Sequence, residues 1–287
     1  MKLNIAAIQN TATRDIPANI AWLRERVEHV VSNGAEVVCT PETCNLIEPD
    51  NSRVFDSTYS EADDPALAMF REAARELNVT IAVGSLAIRN DVDRVVNRAF
   101  YIDPDGEVVA RYDKLHMFDI QLKNGEFYRE SESFNAGDKA VVVDSPWCRI
   151  GLSICYDLRF AALYRALAQA GAKVLTIPAA FTQTTGQAHW HILVRARAIE
   201  TGSFVVAANQ CGTHLGRRQS FGHSLIVTPW GEVLADGGAE PGIVQAELDL
   251  DKVDEARQMI PAITAGKDFD LQEFQAGVPS FPAAASS

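Results

Sequence analysis

An eight-residue pattern that occurs twice constrains this chain more than any other feature. Gly34-Ala35-Glu36-Val37-Val38-Cys39-Thr40-Pro41 lines up with Gly171-Ala172-Lys173-Val174-Leu175-Thr176-Ile177-Pro178. In both copies a glycine closes a helical stretch, the chain turns, and a short buried strand runs into proline. The flanking elements follow the same order. Leu3 to Gln9 reads as a strand, and Ile20, Leu23, Val27, Val30 and Val31 recur at helical spacing up to Asn33-Gly34. Asp64-Pro65 opens a second helix, a cap followed by proline at the first helical position, which ends near Leu77. Thr80 to Leu86 is a strand, and Arg98 to Ile102 and Glu107 to Tyr112 flank a turn at Asp103-Pro104-Asp105-Gly106. In the second half Cys148 to Ile154 reads as a strand, Phe160 to Ala170 as a helix and Val174 to Ile177 as a strand. A helix over His189 to Thr201 follows, then strands at Phe204 to Ala208 and Ser224 to Val227, and a hairpin turning at Pro229-Trp230-Gly231. Chance could produce an eight-residue match, but two similar α/β halves packed sheet to sheet explain it together with the missing linker. The expected organisation is one domain over residues 1–262. Residues 263–287 form a tail rich in Gly, Pro, Ala and Ser beyond Phe274, either disordered or an arm that wraps a partner subunit.

Composition narrows the function. Of 287 residues, 47% are hydrophobic and 22% charged, enough apolar material for one large core or two fused halves. Lys and Arg number 26 against 38 Asp and Glu, a net charge of −12, which argues against a nucleic-acid partner. The first residues run straight into a strand, with no targeting pattern and no apolar run long enough for a bilayer, so a cytoplasmic protein without membrane contact is expected. Cys39, Cys44, Cys148, Cys155 and Cys211 are scattered, odd in number and without a C-x-x-C pair. Neither a disulfide framework nor a structural metal site is expected, and most of these cysteines read as small buried hydrophobes.

Cys155 is the exception. It lies where the strand Arg149-Ile150-Gly151-Leu152-Ser153-Ile154 gives way to a turn and a helix. Such an elbow lifts a side chain out of the sheet toward a helix N-terminus, where the dipole and free N–H groups favour a thiolate and later an oxyanion. A thiol at its ordinary pKa of roughly 8.5 still needs a base or a positive neighbour to attack an amide. Among the histidines, His29 lies in the first helix, His189 and His191 face different ways on one helix, and His214 and His223 flank a glycine-bearing loop. His116, beside Lys114, is the one rival base. Carboxylates at strand ends are the other option. Glu42 follows Pro41 at the end of a buried strand, where open α/β sheets place their ligands, and Lys114 follows the strand ending near Tyr112. A carboxylate to take the thiol proton, an ammonium to stabilise a tetrahedral oxyanion, and a thiol make a coherent set for amide hydrolysis.

Thr40-Pro41-Glu42, Tyr112-Asp113-Lys114-Leu115-His116 and Ser153-Ile154-Cys155-Tyr156-Asp157-Leu158-Arg159-Phe160 together resemble the three signature segments of the nitrilase-like carbon–nitrogen hydrolase superfamily, in its order. The resemblance extends to about Pro261 and is strong in Pro178-Ala179-Ala180-Phe181, Thr185-Gly186-Gln187-Ala188-His189-Trp190 and Phe221-Gly222-His223-Ser224. It implies an α/β fold of four layers, an αββα sandwich, and a cofactor-free thioester mechanism on Cys155, Glu42 and Lys114. It also implies homodimers that stack into eight layers, and it places Glu130 beside the site as a second glutamate and Tyr156 next to the substrate.

Within that superfamily two amidase branches acting on 2-oxo acids are similar to this chain. The Arg195 to Thr201 and Ala207 to Gly212 segments resemble deaminated-glutathione amidases, while Thr184-Thr185-Gly186 fits ω-amidases equally well. Gln187 stands where both branches usually carry proline. An acidic substrate follows independently. Arg159 comes about one helical turn after Cys155 and can hold a carboxylate bidentately, an internal ion pair with Asp157 being the competing reading. Phe181 and Thr185 are further pocket candidates, and Arg217 and Arg218, in a loop, read as solvated surface, with contact to a longer anionic tail of the substrate as the alternative. The expected function is hydrolysis of a small carboxylated amide by an amidase of the deaminated-glutathione type. The alternatives are an ω-amidase, an N-carbamoyl amino acid hydrolase and a non-catalytic scaffold that keeps the fold.

Overall fold

The computed structural model describes residues 1–90, 94–122, 125–215 and 218–274. The repeated segment falls at the same place in two sheets. The first sheet runs, in spatial order, Gly242–Asp249, Lys2–Gln9, Val37–Cys39, Thr80–Arg89, Val95–Ile102 and Val108–Asp113, with two-residue strands Tyr59–Ser60 and Phe134–Asn135 attached to it. The second runs Val141–Asp144, Arg149–Leu152, Ala172–Thr176, Phe204–Ala207, Leu225–Val227 and Val233–Asp236. In each, three parallel strands are bordered by one antiparallel strand on one side and two on the other. Val37 pairs with Ile5 and Thr80, and its counterpart Val174 pairs with Ile150 and Phe204. The glycines that open the two copies, Gly34 and Gly171, take φ of +87° and +91°, a turn that glycine makes without steric strain.

Strand periodicity builds the four expected layers. Ala6, Ile8, Val38, Ile81 and Val83 turn outward against Leu23, Val27, Phe70 and Ala73 of helices Ile16–Ser32 and Pro65–Leu77. Truncating one of these side chains, Phe70 for instance, costs about 3–5 kcal/mol by creating a cavity. Cys39, Ala82 and Ala99 on the opposite face meet Leu152, Thr176 and Val206 of the second sheet, around a void of about 10 Å³. Helices Ala161–Gln169 and Gln183–Thr201 cover the outer face of that sheet through Leu167, Trp190 and Val194. The αββα sandwich is therefore borne out. Asp64 caps its helix as its sequence context indicates, accepting from the N–H groups of Ala66 and Leu67 at 2.9 and 2.8 Å.

Two elements differ from expectation. The helix expected from His189 starts at Gln183, capped by Thr182. Gly186 weakens the local helical signal, but a Cβ there would sit 2.4 Å from the Phe221 ring, so the glycine serves a close contact and not a break. The helix expected over Phe160 to Ala170 is found at Ala161–Gln169, but the turn before it, Cys155–Arg159, is a 3₁₀ helix of its own. At the other end the chain is held as far as Ile263, whose carbonyl accepts from Arg165 and Gln169 at 3.2 Å each. Most of the expected tail, residues 275–287, lies outside the described residues.

Candidate active site

Three strand ends converge between the sheets. Val37–Cys39 runs into Thr40-Pro41-Glu42, Val108–Asp113 into Lys114, and Arg149–Leu152 into the turn that opens with Cys155. Lys114 donates to Glu42 Oε1 at 2.8 Å and to both oxygens of Glu130 at 2.9 and 2.8 Å. Asn97 Nδ2 bridges the same two carboxylates at 3.0 and 3.1 Å. The second Glu42 oxygen accepts the Ala180 N–H at 2.8 Å, and Glu130 Oε2 accepts the Phe118 N–H at 2.7 Å. The ammonium is 1% exposed and the carboxylates 6% and 13%. Charges sunk this deep persist only with such complete pairing.

Electrostatics set the protonation states. Burial would raise the Glu42 carboxyl, but the Lys114 charge and hydrogen bond outweigh it and hold the group below the usual carboxylate range. Burial would lower the Lys114 ammonium, yet Glu130 and Glu42 push it upward, so it stays charged. The Cys155 thiol is raised well above its ordinary value by burial and by the Glu42 carboxylate, to which it donates. The sequence-based expectation of a thiolate favoured by a helix N-terminus is therefore corrected. The α-helix starts six residues further on, and the nearer carboxylate keeps the proton on sulfur. This is a thiol waiting on a base.

The elbow itself is strained and tied down. Cys155 adopts φ of +48°, a conformation that favours glycine, and its N–H is held by the Pro178 carbonyl at 2.8 Å. Asp157, fully buried, accepts from the Ile154 N–H at 2.8 Å, the Tyr112 hydroxyl at 2.6 Å and the His116 N–H at 3.1 Å. It thereby joins the turn bearing the nucleophile to the loop bearing Lys114. His116 Nδ1 lies 2.6 Å from Asp157 and its ring stacks on Phe160 at 3.5 Å, so the rival base is occupied with holding that loop.

A cavity of about 570 Å³ opens onto Glu42, Lys114 and Cys155, and Glu130, Tyr156, Phe181 and Thr185 all line it. Arg159 is not among the lining residues. Its guanidinium packs over the Tyr156 and Phe181 rings at 5.7 and 5.3 Å and lies 3.5 Å from His189. Nor does it pair with Asp157. Arg218, for which the sequence favours solvated surface over contact with an anionic tail, lines the cavity, and Arg217 lies outside the described residues. Asn97 and Asp157 were not singled out from sequence for these positions. Asn97 lies mid-strand with no punctuation around it, and Asp157 was visible only as a member of its motif. Among the described residues one group could hold a metal ion, His191, His223 and Asp236, with ligating atoms within 4.8 Å of one another. It lies outside the cavity lining, and Asp236 already accepts from both imidazoles at 3.0 and 2.8 Å.

Comparison with known proteins agrees with this geometry. The carbon-nitrogen hydrolase family model matches residues 4–258. A deaminated glutathione amidase of Synechocystis is 38% identical over 263 residues, 90% of this chain and 96% of that protein. Omega-amidase NIT2 of Bos taurus is 37% identical over 250 residues, 87% of this chain and 89% of that protein. The crystal structure of the C. elegans NitFhit protein superposes with a TM-score of 0.87 at 37% identity, over 93% of this chain and 65% of the other. With a matching family model over most of its length and relatives well above one third identical, the chain belongs to the carbon–nitrogen hydrolase family.

Proposed function

We propose that this enzyme hydrolyses the C–N bond of a small carboxylated amide of the 2-oxo acid type, a reading supported by its relatives named deaminated glutathione amidase. The observation that carries the reading is the contact of a protonated Cys155 thiol with a charged Glu42 carboxylate, backed by Lys114, at one cavity. Glu42 takes the thiol proton as sulfur bonds to the amide carbon, so the charge of the cluster stays constant during attack. The oxyanion forms near the Lys114 ammonium. Because the Cys155 N–H is taken by Pro178, the Tyr156 N–H is the next backbone donor available to it. On collapse the C–N bond breaks and Glu42 passes its proton to the leaving amine. The same carboxylate then deprotonates a water that cleaves the thioester, and sulfur leaves as thiol. Glu130 keeps Lys114 in place between the two carboxylates.

Tyr156, Phe181 and Thr185 are assigned to the substrate, with Arg159 acting from behind the first two rings. A volume near 570 Å³ falls within the range of small-ligand pockets, about 300–1,000 Å³, and leaves room for an extended leaving group beyond that of the shortest amides. We assign the molecule to the cytoplasm, where its five free cysteines suit a reducing environment. Homodimers are proposed through helix Gln183–Thr201. Ile192 and Ile199 are exposed on it, Ile199 lies beside Gly231 of the adjoining hairpin, and Trp230 of that hairpin is exposed too, apolar surface that a second copy would cover. Residues 1–262 are taken as one catalytic domain.

The test is release of the amine product from deaminated glutathione, 2-oxoglutaramate, 2-oxosuccinamate, glutamine and a neutral aliphatic amide. A preference in kcat/KM of tenfold or more for the first, about 1.4 kcal/mol, is expected. Preference for the two shorter oxo-amides would make the chain an ω-amidase, and inactivity on all five would overturn the substrate assignment.

A further inference from the structure

The cavity is lined by four carboxylates, Glu42, Glu48, Glu126 and Glu130, against three cations, Lys114, Arg129 and Arg218. A carboxylated substrate entering this acidic setting needs positive charge that the protein has not already neutralised. Lys114 is held between Glu42 and Glu130. Arg129 is exposed and donates to the Tyr128 carbonyl at 3.1 Å. Arg218 is placed differently. Its guanidinium lies over the Tyr128 ring at 5.7 Å and makes one hydrogen bond among the described residues, to the Ala180 carbonyl at 3.2 Å. Its Nε is buried without a hydrogen-bond partner among the described residues, and none of their carboxylates forms an ion pair with it. A buried guanidinium N–H left unpaired is costly, and a guanidinium at a cavity wall without a carboxylate partner of its own can take one from a ligand.

We infer that Arg218 is an anion subsite of the catalytic cavity, binding a substrate carboxylate remote from the scissile amide. The subsite sits close to the chemistry. The Ala180 peptide that receives Arg218 on its carbonyl gives its N–H to Glu42 Oε2 at 2.8 Å. A carboxylate on the guanidinium is thus within a short chain's reach of the carbon that Cys155 attacks, and Tyr128 gives that chain an aromatic wall. This inference rests on the amidase reading and adds to it the residue that receives a substrate carboxylate held away from the reacting bond.

The link through Ala180 raises a competing role, in which Arg218 merely positions Glu42, and the test separates the two. Kinetics of Arg218→Ala and Arg218→Lys are compared with wild type on a carboxylated amide and on a neutral amide of similar length. The expected result is a fall of tenfold or more in the ratio of their kcat/KM values, carried by KM, with partial recovery in Arg218→Lys. An equal fall on both amides, carried by kcat, would reduce Arg218 to a positioning residue and overturn the subsite. Binding of glutarate to Cys155→Ala by calorimetry, with and without Arg218→Ala, needs no turnover. Tenfold weaker binding without the guanidinium supports the subsite even if the amidase reading fails, and an unchanged Kd overturns it even if that reading holds.

Discussion

The two halves of this molecule share an architecture and divide the chemistry. The strand in each copy of the repeated segment is the middle of three parallel strands, follows a glycine with positive φ and runs on to a proline. After Pro41 the first half places Glu42, the proposed base. After Pro178 the second half places Ala179 and Ala180, which carry no chemistry of their own. What the second half offers there is backbone: the Pro178 carbonyl holds the Cys155 N–H and the Ala180 N–H holds Glu42, both at 2.8 Å. One copy supplies a titrating side chain and the other the fixed dipoles that orient it. A duplicated fold can build one asymmetric site in this way, because equivalent strand ends face each other across the sheet interface.

The comparison breaks most visibly at the residue after each proline. Glu42→Gln should lower kcat about a thousandfold, within the range of lost general-base catalysis, while thermal unfolding shows the fold intact. Ala179→Gly should do the reverse, keeping turnover and lowering stability by about 1 kcal/mol. Comparable losses of activity in both variants would mean that the halves are not specialised as described.

The next largest effect is expected at Gly84, where the two proline segments meet. A Cβ there would lie 1.9 Å from the Thr40 carbonyl oxygen, 2.5 Å from the Pro41 carbonyl oxygen and 2.5 Å from Pro178 Cβ. Gly84→Ala should therefore cost about 3 kcal/mol, the upper end for overpacking, and reduce activity by moving Glu42 against Cys155. Chemical denaturation with parallel assays checks both.

His214 sharpens the comparison at a contact between the halves, its Nδ1 donating to the Ala12 carbonyl at 2.8 Å and its Nε2 lying 2.8 Å from the Ser220 hydroxyl. Burial lowers its imidazole from 6.5 to about 4, against the pull of the Ala12 carbonyl. The folded state thus favours the neutral ring. Its contribution is complete above the ordinary value and is lost as pH falls through the lowered one, about 3 kcal/mol in all. Denaturation at pH 7 and pH 4.5 should show a smaller pH dependence in His214→Gln than in wild type. The smallest effect is expected at the paired glycines. Gly34→Ala and Gly171→Ala should each cost about 1–2 kcal/mol for the positive φ. Gly171 should cost slightly more, since a Cβ there meets Arg149 Cδ at 3.3 Å while Gly34 faces open space.

What could be read from the sequence followed the local signals. The repeat pointed to two α/β halves, and the resemblance of the three motifs implied the sandwich and brought forward Glu42, Lys114 and Cys155, which the structure gathers at one cavity. Asn97 bridges Glu42 and Glu130 from 55 and 33 residues away, and such a contact leaves no periodicity to detect. Arg218 belongs to a basic loop whose composition reads as surface, and only the packing of Tyr128 and Ala180 turns it inward. Arg159 shows the converse. Its spacing from Cys155 suited a pocket residue, but the turn before the helix is a 3₁₀ turn that seats its guanidinium over Tyr156 and Phe181.

The central claim is that Cys155 forms a thioester with the acyl part of the substrate. Rapid quenching of the enzyme during turnover of a carboxylated amide, followed by tryptic digestion and mass spectrometry, tests it directly. The expected result is an acyl adduct on the peptide Ile150 to Arg159, whose one cysteine is Cys155, absent from Cys155→Ser. Sustained turnover with no adduct on that peptide, or an adduct on Cys39, Cys44, Cys148 or Cys211, would contradict it.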